Sequence, residues 1–592
     1  MKKTIFYSFI IFSALLISCD DLLDVMPGSD MTDENFWKSE NDLKGACNRM
    51  YQQFSSGGHD TRADDQVAKS PNNVSNGQRT IQDADTAGWK NPYDRIFLAN
   101  NIIEKASAAT TVVAAVRDRY IGEAKFFRAW YYFNLVCQYG DVPLVTKVFA
   151  SGQDPDLKMA RTPREEVIKQ CYEDLKFAAN SLPTRAQWTS TDEFDRRRVT
   201  RSSALGLLVR IALYEGTYQK YHNLGGDAKA HLKEAIDAFE LLKGEGHELY
   251  TTGGVITAYQ GLFFDENQAT NKEILFGKAY GPNGGSGTGY TNHNYSGDNE
   301  GSYALTRKMI DMYLYADGLP IEKTSFKVAD ETSFNNVAGL DVSGASLANN
   351  MGARDPRLLM SVWTINDALE FDATYGWMAP QVGKGNYRPF DSQRPFAYQL
   401  KKRFKGSLWG ASKDYTDIIL IRWGEMLIDY AEALYEYNGT ITDAQLDETV
   451  NALRSRAGFN VKLTNAFASA NGLNLLDEIR RERTVELMAE NLRYDDLMRW
   501  KTAETELPKA ILGAKYIAGD ASSTGIIEPG RLTDASGMAN GQSVMSGTIQ
   551  TNIYVIEFPS MRKFDPGRDY LYPIPQYEIT HSDGNIIQNP KW

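Results

Sequence analysis

The sequence is poor in the residues that build disulfide, metal and nucleotide sites. It has 4 cysteines and 6 histidines in 592 residues. Cys19 lies at the end of an N-terminal apolar run, which leaves Cys47, Cys137 and Cys171, and this odd count argues against a disulfide framework in an exported protein. The histidines occur singly, with no HExxH or CxxC pattern, so a zinc enzyme is not indicated. A phosphate-cradling GxxxxGK[ST] loop is also absent.

The chain also lacks a net positive charge and, at its N-terminus, an apolar run long enough to span a bilayer. Its net charge of −12 provides no basic field for nucleic acid or anionic lipid. The N-terminal apolar run covers residues 5–17. That is shorter than the roughly 20 residues of a membrane span but suits the core of a signal peptide.

Residues 1–18 have the pattern of a lipoprotein signal peptide. Lys2 and Lys3 precede the apolar run, and Ser18 precedes Cys19. This ending resembles the bacterial lipobox, which implies that Cys19 carries lipid and begins the mature chain. An ordinary signal peptide with an incidental cysteine is the alternative. Residues 19–30 form a short acidic tether, and its first two aspartates resemble surface-export signals of Bacteroidetes lipoproteins. Several acyl chains anchor a protein stably, whereas one does not.

Apolar residues at helical spacing predict a mainly α protein. Small residues alternate with aromatic ones, and connections are short, which favours helical hairpins stacked as in tetratricopeptide repeats (TPRs). Helices are predicted near residues 89–103, 118–139, 164–180, 202–214, 228–243, 417–437 and 448–456. Glycine stops are predicted at Gly140, Gly216 and Gly439.

The composition changes in the middle of the chain. Residues 273–279 read as a strand, residues 281–301 are rich in Gly, Asn, Ser and Tyr, and residues 317–415 are loop-rich after a short helix near 305–315. We therefore predict a loop-rich insertion with short strands at 271–415. It is carried by an N-terminal TPR-like helical region at 31–270 and by a C-terminal helical region with an irregular tail at 416–592.

Residues 476–500 read as one helix with an unusual column of charge. Glu478, Glu482, Glu486 and Glu490 stand at i, i+4 spacing, where like charges repel. The column predicts that some of these carboxylates meet partners elsewhere in the chain, such as arginines or helix N-termini. The alternative is that two of them serve as a general acid and base.

The same stretch resembles a known family. RRERTVELMAENLRYDDLMRW at 480–500 resembles the C-terminal signature helix of the SusD/RagB family of outer-membrane nutrient-binding lipoproteins. Similar matches are GEAKFFRAWYYFNLVCQYGDVPLV at 122–145, RVTRSSALGLLVRIALYEG at 198–216, the segments 422–425 and 430–433, and the ending at 570–592.

The resemblance implies a cell-surface protein that binds oligosaccharide or polysaccharide nutrients. It further implies a lid over a SusC-like TonB-dependent outer-membrane transporter, with no catalytic activity and no cofactor. A peptide-binding RagB-like component is the nearest alternative. Two rivals of other classes are a surface glycoside hydrolase, which needs two carboxylates about 5 to 9.5 Å apart, and a protein-interaction scaffold.

Candidate ligand-binding residues come from the polar, aromatic-bearing loops, because aromatic rings stack on sugar faces and polar groups bond the hydroxyls. They are Asp64, Asp65, Trp89, Tyr290, Tyr295, Trp363, Tyr375 and Trp377. For any single aromatic residue, packing beneath a loop is the alternative. Residues 83–94 partly match a calcium loop, but its fifth position is Ala87 and its twelfth is Asp94 rather than Glu. No metal ligand is therefore assigned, and a structural Ca²⁺ elsewhere stays open.

Overall fold

The computed structural model describes residues 36–54, 59–188, 197–255, 257–264, 270–280, 303–325, 336–337, 340–341, 354–364, 395–403, 416–516, 527–544 and 551–592. Within these ranges helices predominate and strands are short, which confirms the predicted mainly α class. The predicted insertion and the two flanking helical regions stay a prediction as domains.

The N-terminal half is a succession of helices in which each packs on the next. The helices are α1 (Glu40–Gln53), α2 (Asn91–Ala108, after a π-helical turn at Thr86–Lys90), α3 (Ala114–Tyr139), α4 (Arg164–Ser181), α5 (Arg201–His222) and α6 (Ala228–Lys243). Contacts join α2 to α3, α3 to α4, α4 to α5, and α5 to α6. This nearest-neighbour packing is what stacked helical hairpins require. Their buried faces form the main hydrophobic core together with residues from the C-terminal helices.

Helix α5 continues beyond its predicted stop. We predicted an end at Gly216, but the helix runs to His222 and ends at Asn223 in the left-handed conformation (φ 53°). A Cβ atom at Gly216 would lie 2.8 Å from Leu232 Cγ on α6. The glycine therefore permits close approach of two helices instead of ending one. The stops at Gly140 and Gly439 are confirmed.

The remaining elements are short, apart from the helices α10 and α14. In chain order they are α7 (Ala258–Gly261), β2 (Ile274–Lys278), β3 (Tyr303–Leu305), α8 (Arg307–Met312), β4 (Asn336–Val337), β5 (Leu340–Asp341), α9 (Pro356–Ser361), β6 (Tyr398–Gln399), β7 (Ile418–Arg422), α10 (Trp423–Asn438), α11 (Asp443–Glu448), α12 (Val450–Arg456), α13 (Asn465–Ala470), α14 (Leu475–Glu486), α15 (Arg493–Arg499), α16 (Ala503–Glu506), β8 (Ile511–Lys515), β9 (Met538–Ala539), β10 (Gln542–Ser543), β11 (Ile553–Glu557) and α17 (Gln576–His581). Strand β1 (Gln66–Ala68) precedes α2.

Antiparallel strand pairs tie distant parts of the chain together. β3 pairs with β1 and β6 in a three-stranded sheet. β2 pairs with β7, with Ile274 opposite Arg422; β2 lies at the start of the predicted insertion and β7 directly after its end. β8 pairs with β11. The ends of the insertion are therefore held together by a ladder of backbone hydrogen bonds.

The prediction of a helix over 417–437 is wrong for its first turn. Ile418 to Arg422 form strand β7, and the helix begins at Trp423. The three isoleucines at 418, 419 and 421 are β-branched, and pairing with β2 gives them a buried, pleated environment. Apolar spacing alone predicts a helix here, because it cannot show that β2 pairs with these residues.

The prediction of a single helix over 476–500 is also wrong, because this stretch forms two helices, α14 and α15. Ala489 (φ 59°) and Asn491 (φ 65°) adopt the left-handed conformation between them. The Glu486 carbonyl accepts hydrogen bonds from the Tyr259 hydroxyl (2.7 Å) and from Arg422 (2.9 Å), and the Met488 carbonyl accepts one from Lys402 Nζ (2.8 Å). Side chains from other segments thus replace the bonds that a continuing helix would have made.

The prediction that some glutamates of the column meet distant partners is confirmed for Glu482, Glu486 and Glu490. The Glu486 carboxylate is completely buried and accepts from Arg357 (2.9 Å), Arg422 (2.8 Å) and Arg456. The other contacts are Glu482 with Arg357 and Arg454, Glu490 with Arg422 and Lys402, Glu478 with Arg481, and Glu273 with Arg422 and Arg456. We call this set the glutamate–arginine network. Its arginines lower the pKa of Glu486 far below the usual value and that of Glu490 to about 2, although burial acts in the opposite direction.

Removing one member of the network should destabilise the fold. We expect Glu486→Ala to cost about 3 to 5 kcal/mol, because it leaves three buried guanidinium groups partly uncompensated. Urea denaturation followed by circular dichroism measures this as a lower midpoint. The matched control is Glu248→Ala, whose side chain is exposed and faces the exposed Lys272, and it should leave the midpoint unchanged. Equal midpoints for the two variants would contradict this role of Glu486.

The network should also make the free energy of unfolding depend on pH in the acidic range. The folded-state pKa of Glu490 is about 2 against an ordinary value of 4.5. Its stabilising contribution is therefore fully present above pH 4.5 and is lost as the pH falls from 4.5 towards 2. We expect the melting temperature to fall steeply between pH 5 and pH 3 in wild type and less steeply in Glu490→Gln. The melting temperature of Glu248→Gln should fall with pH as steeply as that of wild type. If the melting temperature of Glu490→Gln also fell as steeply, it would contradict this role of Glu490.

Candidate ligand-binding site

The segment from His59 to β1 contributes to the walls of two cavities. The Asp60 backbone N–H donates to Asn491 Oδ1 at 3.1 Å, and Arg493 donates to both oxygens of Asp64 at 2.8 and 3.0 Å. The segment is thus fixed against the turn and helix that follow α14. Residues 59, 60 and 62 face one cavity, and residue 64 faces the other.

The first cavity has a volume of about 430 Å³, and we call it the Trp130 cavity. Helix α3 supplies one wall from residues spaced at i, i+3, i+4 and i+8, which lie on one face of a helix. The lining residues are Trp130, Phe133, Asn134 and Gln138 from α3, Leu207 and Arg210 from α5, Leu420 from β7, Glu490, Asn491 and Leu492 from the turn, Asp495 from α15, and His59, Asp60 and Arg62. Its size falls in the range typical of small-ligand sites.

Trp130 is a rigid, half-buried wall of this cavity. Its ring packs edge-on against Phe54 (centroids 5.1 Å apart) and Phe276 (6.0 Å) in the core. The Arg210 guanidinium lies 5.6 Å from its centroid and is itself held by Glu425 at 2.6 and 2.7 Å. The indole is therefore fixed before any ligand arrives, and part of its surface stays open to the cavity.

Two polar groups in the cavity stand without partners. The Asp495 carboxylate and the Asn134 side-chain amide are half-buried, and neither makes a hydrogen bond or ion pair with any residue that the structure describes. By contrast, Arg62 donates twice to Asp60, at 2.8 and 2.7 Å. Burial raises the pKa of Asp495 to about 6, against the opposing effect of Arg62. The cavity thus offers a carboxylate and an amide to a ligand.

The second cavity is larger, about 640 Å³, and has a different character; we call it the Lys308 cavity. Lys308 reaches Glu506 and lies 3.7 Å from Asp64. Paired charges of both signs alternate there with aliphatic residues such as Ile511 and Val544. None of its lining residues in the described part of the chain is aromatic. It lacks the flat ring that favours contact with a sugar face.

The structure places the predicted site residues in different environments. Asp64 lines the Lys308 cavity and is ion-paired with Arg493, which holds the pKa of the Asp64 carboxyl well below its usual range. Asp65 is buried, and burial with the neighbouring Asp64 charge raises its pKa to about 7. Trp89 is 4% exposed and packs against Tyr139 (4.9 Å), and Trp363 is 5% exposed.

The other predicted positions lie outside the described residues: Cys19, Tyr290, Tyr295, Tyr375 and Trp377. Among the described candidates, neither Trp89 nor Trp363 lines either cavity. Sequence reasoning missed Trp130, because a tryptophan in an amphipathic helix reads as core. The available signal was that Asn134 and Gln138 follow it on the same helical face, where a core face carries apolar residues.

One cluster of the described chain has the residue types of a metal site. Glu165, Glu215 and His231 lie close together there. Arg164 Nε donates to both oxygens of Glu215 at 2.9 and 2.8 Å, so this carboxylate already has a cationic partner within the chain. In the partial calcium loop, both oxygens of Asp85 are engaged, one by the Gly88 N–H and one by the Tyr139 hydroxyl.

Comparison with known proteins decides the family. The model described as SusD family matches residues 262–592, more than half of the chain. A second model, described as starch-binding associating with outer membrane, matches residues 21–213. The chain belongs to the SusD family. None of the helices in the described part of the chain combines the length and the hydropathy that a membrane span requires.

Individual relatives extend over nearly the whole SusD-family chain. SusD-like protein P38 of Formosa agariphila is 25% identical across 85% of this chain and 92% of its own length. SusD-like protein P2 of the same organism is 23% identical across 98% of both. A solved SusD-like carbohydrate-binding protein from Bacteroides fragilis superposes with a TM-score of 0.68 at 24% identity, covering 92% of this chain and 98% of that one. A laminarin-binding SusD-like protein superposes with a TM-score of 0.53 at 20% identity, covering 94% and 100%.

Proposed function

We propose that this SusD-family protein binds an oligosaccharide in the Trp130 cavity. The observation that carries the proposal is a fixed, partly open indole beside two polar groups that have no partner in the described chain. An aromatic face accepts the C–H groups of a sugar ring, and a carboxylate and an amide bond its hydroxyls. The relatives described as carbohydrate-binding or laminarin-binding support the same class of ligand.

The arrangement of charges in the cavity favours binding over hydrolysis. A glycosidase needs two carboxylates that act together on one bond. In the described lining, Arg62 holds Asp60, and Arg422 and Lys402 hold Glu490. Asp495 is thus the one lining carboxylate there that no cation holds. We therefore propose a non-catalytic role.

We further propose that the protein is anchored in the outer membrane by lipid at Cys19, faces the cell exterior, and delivers its ligand as a lid to a SusC-like TonB-dependent transporter. The signal-peptide pattern at 1–18 supports the anchor. The description of the family model at 21–213 supports the outer membrane as its location. In this proposal residues 19–30 serve as the tether between the anchor and the rest of the chain.

Replacing the indole should weaken glycan binding. We expect Trp130→Ala to bind a confirmed polysaccharide at least tenfold more weakly, a loss of about 1.4 kcal/mol. The probes are laminarin, soluble starch and xylan, and the measurement is isothermal titration calorimetry. Because Trp130 also packs on the core, Asn134→Ala is a second variant that removes a cavity group without opening the core, and it should weaken binding as well.

The matched control is Trp188→Ala, since Trp188 is a half-buried tryptophan that lies outside both cavities. It should bind as wild type does. Circular dichroism checks that each variant is folded. If Trp130→Ala and Asn134→Ala both retained wild-type affinity for a bound glycan, the glycan site would lie elsewhere.

Removing the anchor should release the protein from membranes. We expect Cys19→Ala to appear in the soluble fraction, because the acyl chains that hold the protein are attached there. Fractionation after a high-salt wash, followed by immunoblotting, measures this. Cys137→Ala, which changes a half-buried cysteine of α3, should stay with the membrane. Retention of Cys19→Ala after the wash would count against lipidation at Cys19.

A further inference from the structure

The Asp495 carboxylate is an unpaired charge in an otherwise paired cavity. It projects from α15 into the Trp130 cavity, half-buried, and no hydrogen bond or ion pair joins it to a residue in the described ranges. Its oxygens still reach solvent in the open cavity, so a ligand that displaces this water must replace it as a partner, and a charged donor does so most strongly. A cationic partner for this carboxylate could come from the protein itself or from a ligand.

The cationic side chains around Asp495 form ion pairs with other carboxylates. Arg62, from the 59–66 segment, donates twice to Asp60, and Arg210, from α5, donates twice to Glu425. The other charged groups near it include Glu490 of the turn, bonded to Arg422 and Lys402, and Asp496 of α15, bonded to Arg483 and Arg499. Asp429 of α10 lines a small neighbouring cavity together with Asp495 and is ion-paired with Arg483. Cys137 of α3 and Tyr214 of α5 also lie near it, and burial raises the pKa of both, so they are neutral there. His59 contacts Gln66.

We propose that Asp495 makes the Trp130 cavity selective for ligands that carry a primary ammonium group. This inference rests on the proposed function, because it names the class of ligand for the same site. A neutral ligand would cover the carboxylate and leave its charge uncompensated, whereas an ammonium group provides both a compensating charge and three donors. Trp130 adds an aromatic surface beside the cation.

The titration of Asp495 supports this selectivity near neutral pH. Burial raises its pKa to about 6, with Asp60 and Asp496 raising it further and Arg62 and Arg210 lowering it. The group is therefore mostly ionised at pH 7 and mostly neutral at pH 5. Selectivity for an ammonium group should be present at pH 7 and reduced at pH 5.

An ammonium group can come from an amino sugar or from a peptide amino terminus, and the experiment has an arm for each source. Calorimetry at pH 7 compares glucosamine tetramer with N-acetylglucosamine tetramer, and tetra-alanine with its N-acetylated form. We expect the free amine of at least one pair to bind at least tenfold more tightly than its acetylated counterpart. At pH 5 that preference should fall severalfold.

The decisive variant is Asp495→Asn, which keeps the shape of the side chain and removes its charge. It should abolish the preference for the amine while leaving the affinity for the acetylated ligand within about twofold. Asp583→Asn is the matched control, because Asp583 is exposed and lies outside the cavity in an ion pair with Lys158. It should keep the wild-type preference.

The outcomes separate this inference from the proposed function. Absence of an amine preference in wild type, or its persistence in Asp495→Asn, overturns the role of Asp495 even if neutral polysaccharides bind through Trp130. A preference confined to the peptide pair supports ammonium selectivity and contradicts a glycan ligand. Failure of every sugar, polysaccharide and peptide to bind overturns both.

Discussion

The structure depends on one buried carboxylate, that of Glu486. Arg357, Arg422 and Arg456 converge on it, and each comes from a different element: α9, β7 and α12. The same arginines reach Glu273, Glu482 and Glu490, so the charges are compensated as a group. Removing one member of such a buried group is costly, because each remaining charge then lacks a partner of the right charge and reach.

This network also shapes the ligand-binding region. By bonding the carbonyls of residues 486 and 488, Tyr259, Arg422 and Lys402 end α14 and turn the chain. The turn brings Asn491 against the Asp60 backbone and starts α15, which carries Asp495. The floor of the Trp130 cavity is therefore built directly on the glutamate–arginine network.

Local sequence patterns predicted the parts of the fold that local interactions decide. The glycine stops at Gly140 and Gly439 and most helices were predictable, since helical spacing and glycine caps with positive φ are encoded within a few residues. The like-charged column that begins in α14 correctly indicated distant partners for some of its glutamates. Strand β7 and the break after α14 were not predictable, because their partners lie some 64 to 227 residues away along the chain. The candidate site was missed for a related reason: exposure of Trp130 depends on how the 59–66 segment and the turn meet α3.

The pairing of β2 with β7 bears on how this protein can be altered. The region 271–415 is bounded by that pair, yet Arg357 and Lys402 from within it reach into the frame and touch Glu486 and Glu490. It is therefore not a detachable module. Replacing it with a segment that lacks those two cations would leave buried glutamates without their partners, so an exchange between family members has to provide a cation at both positions.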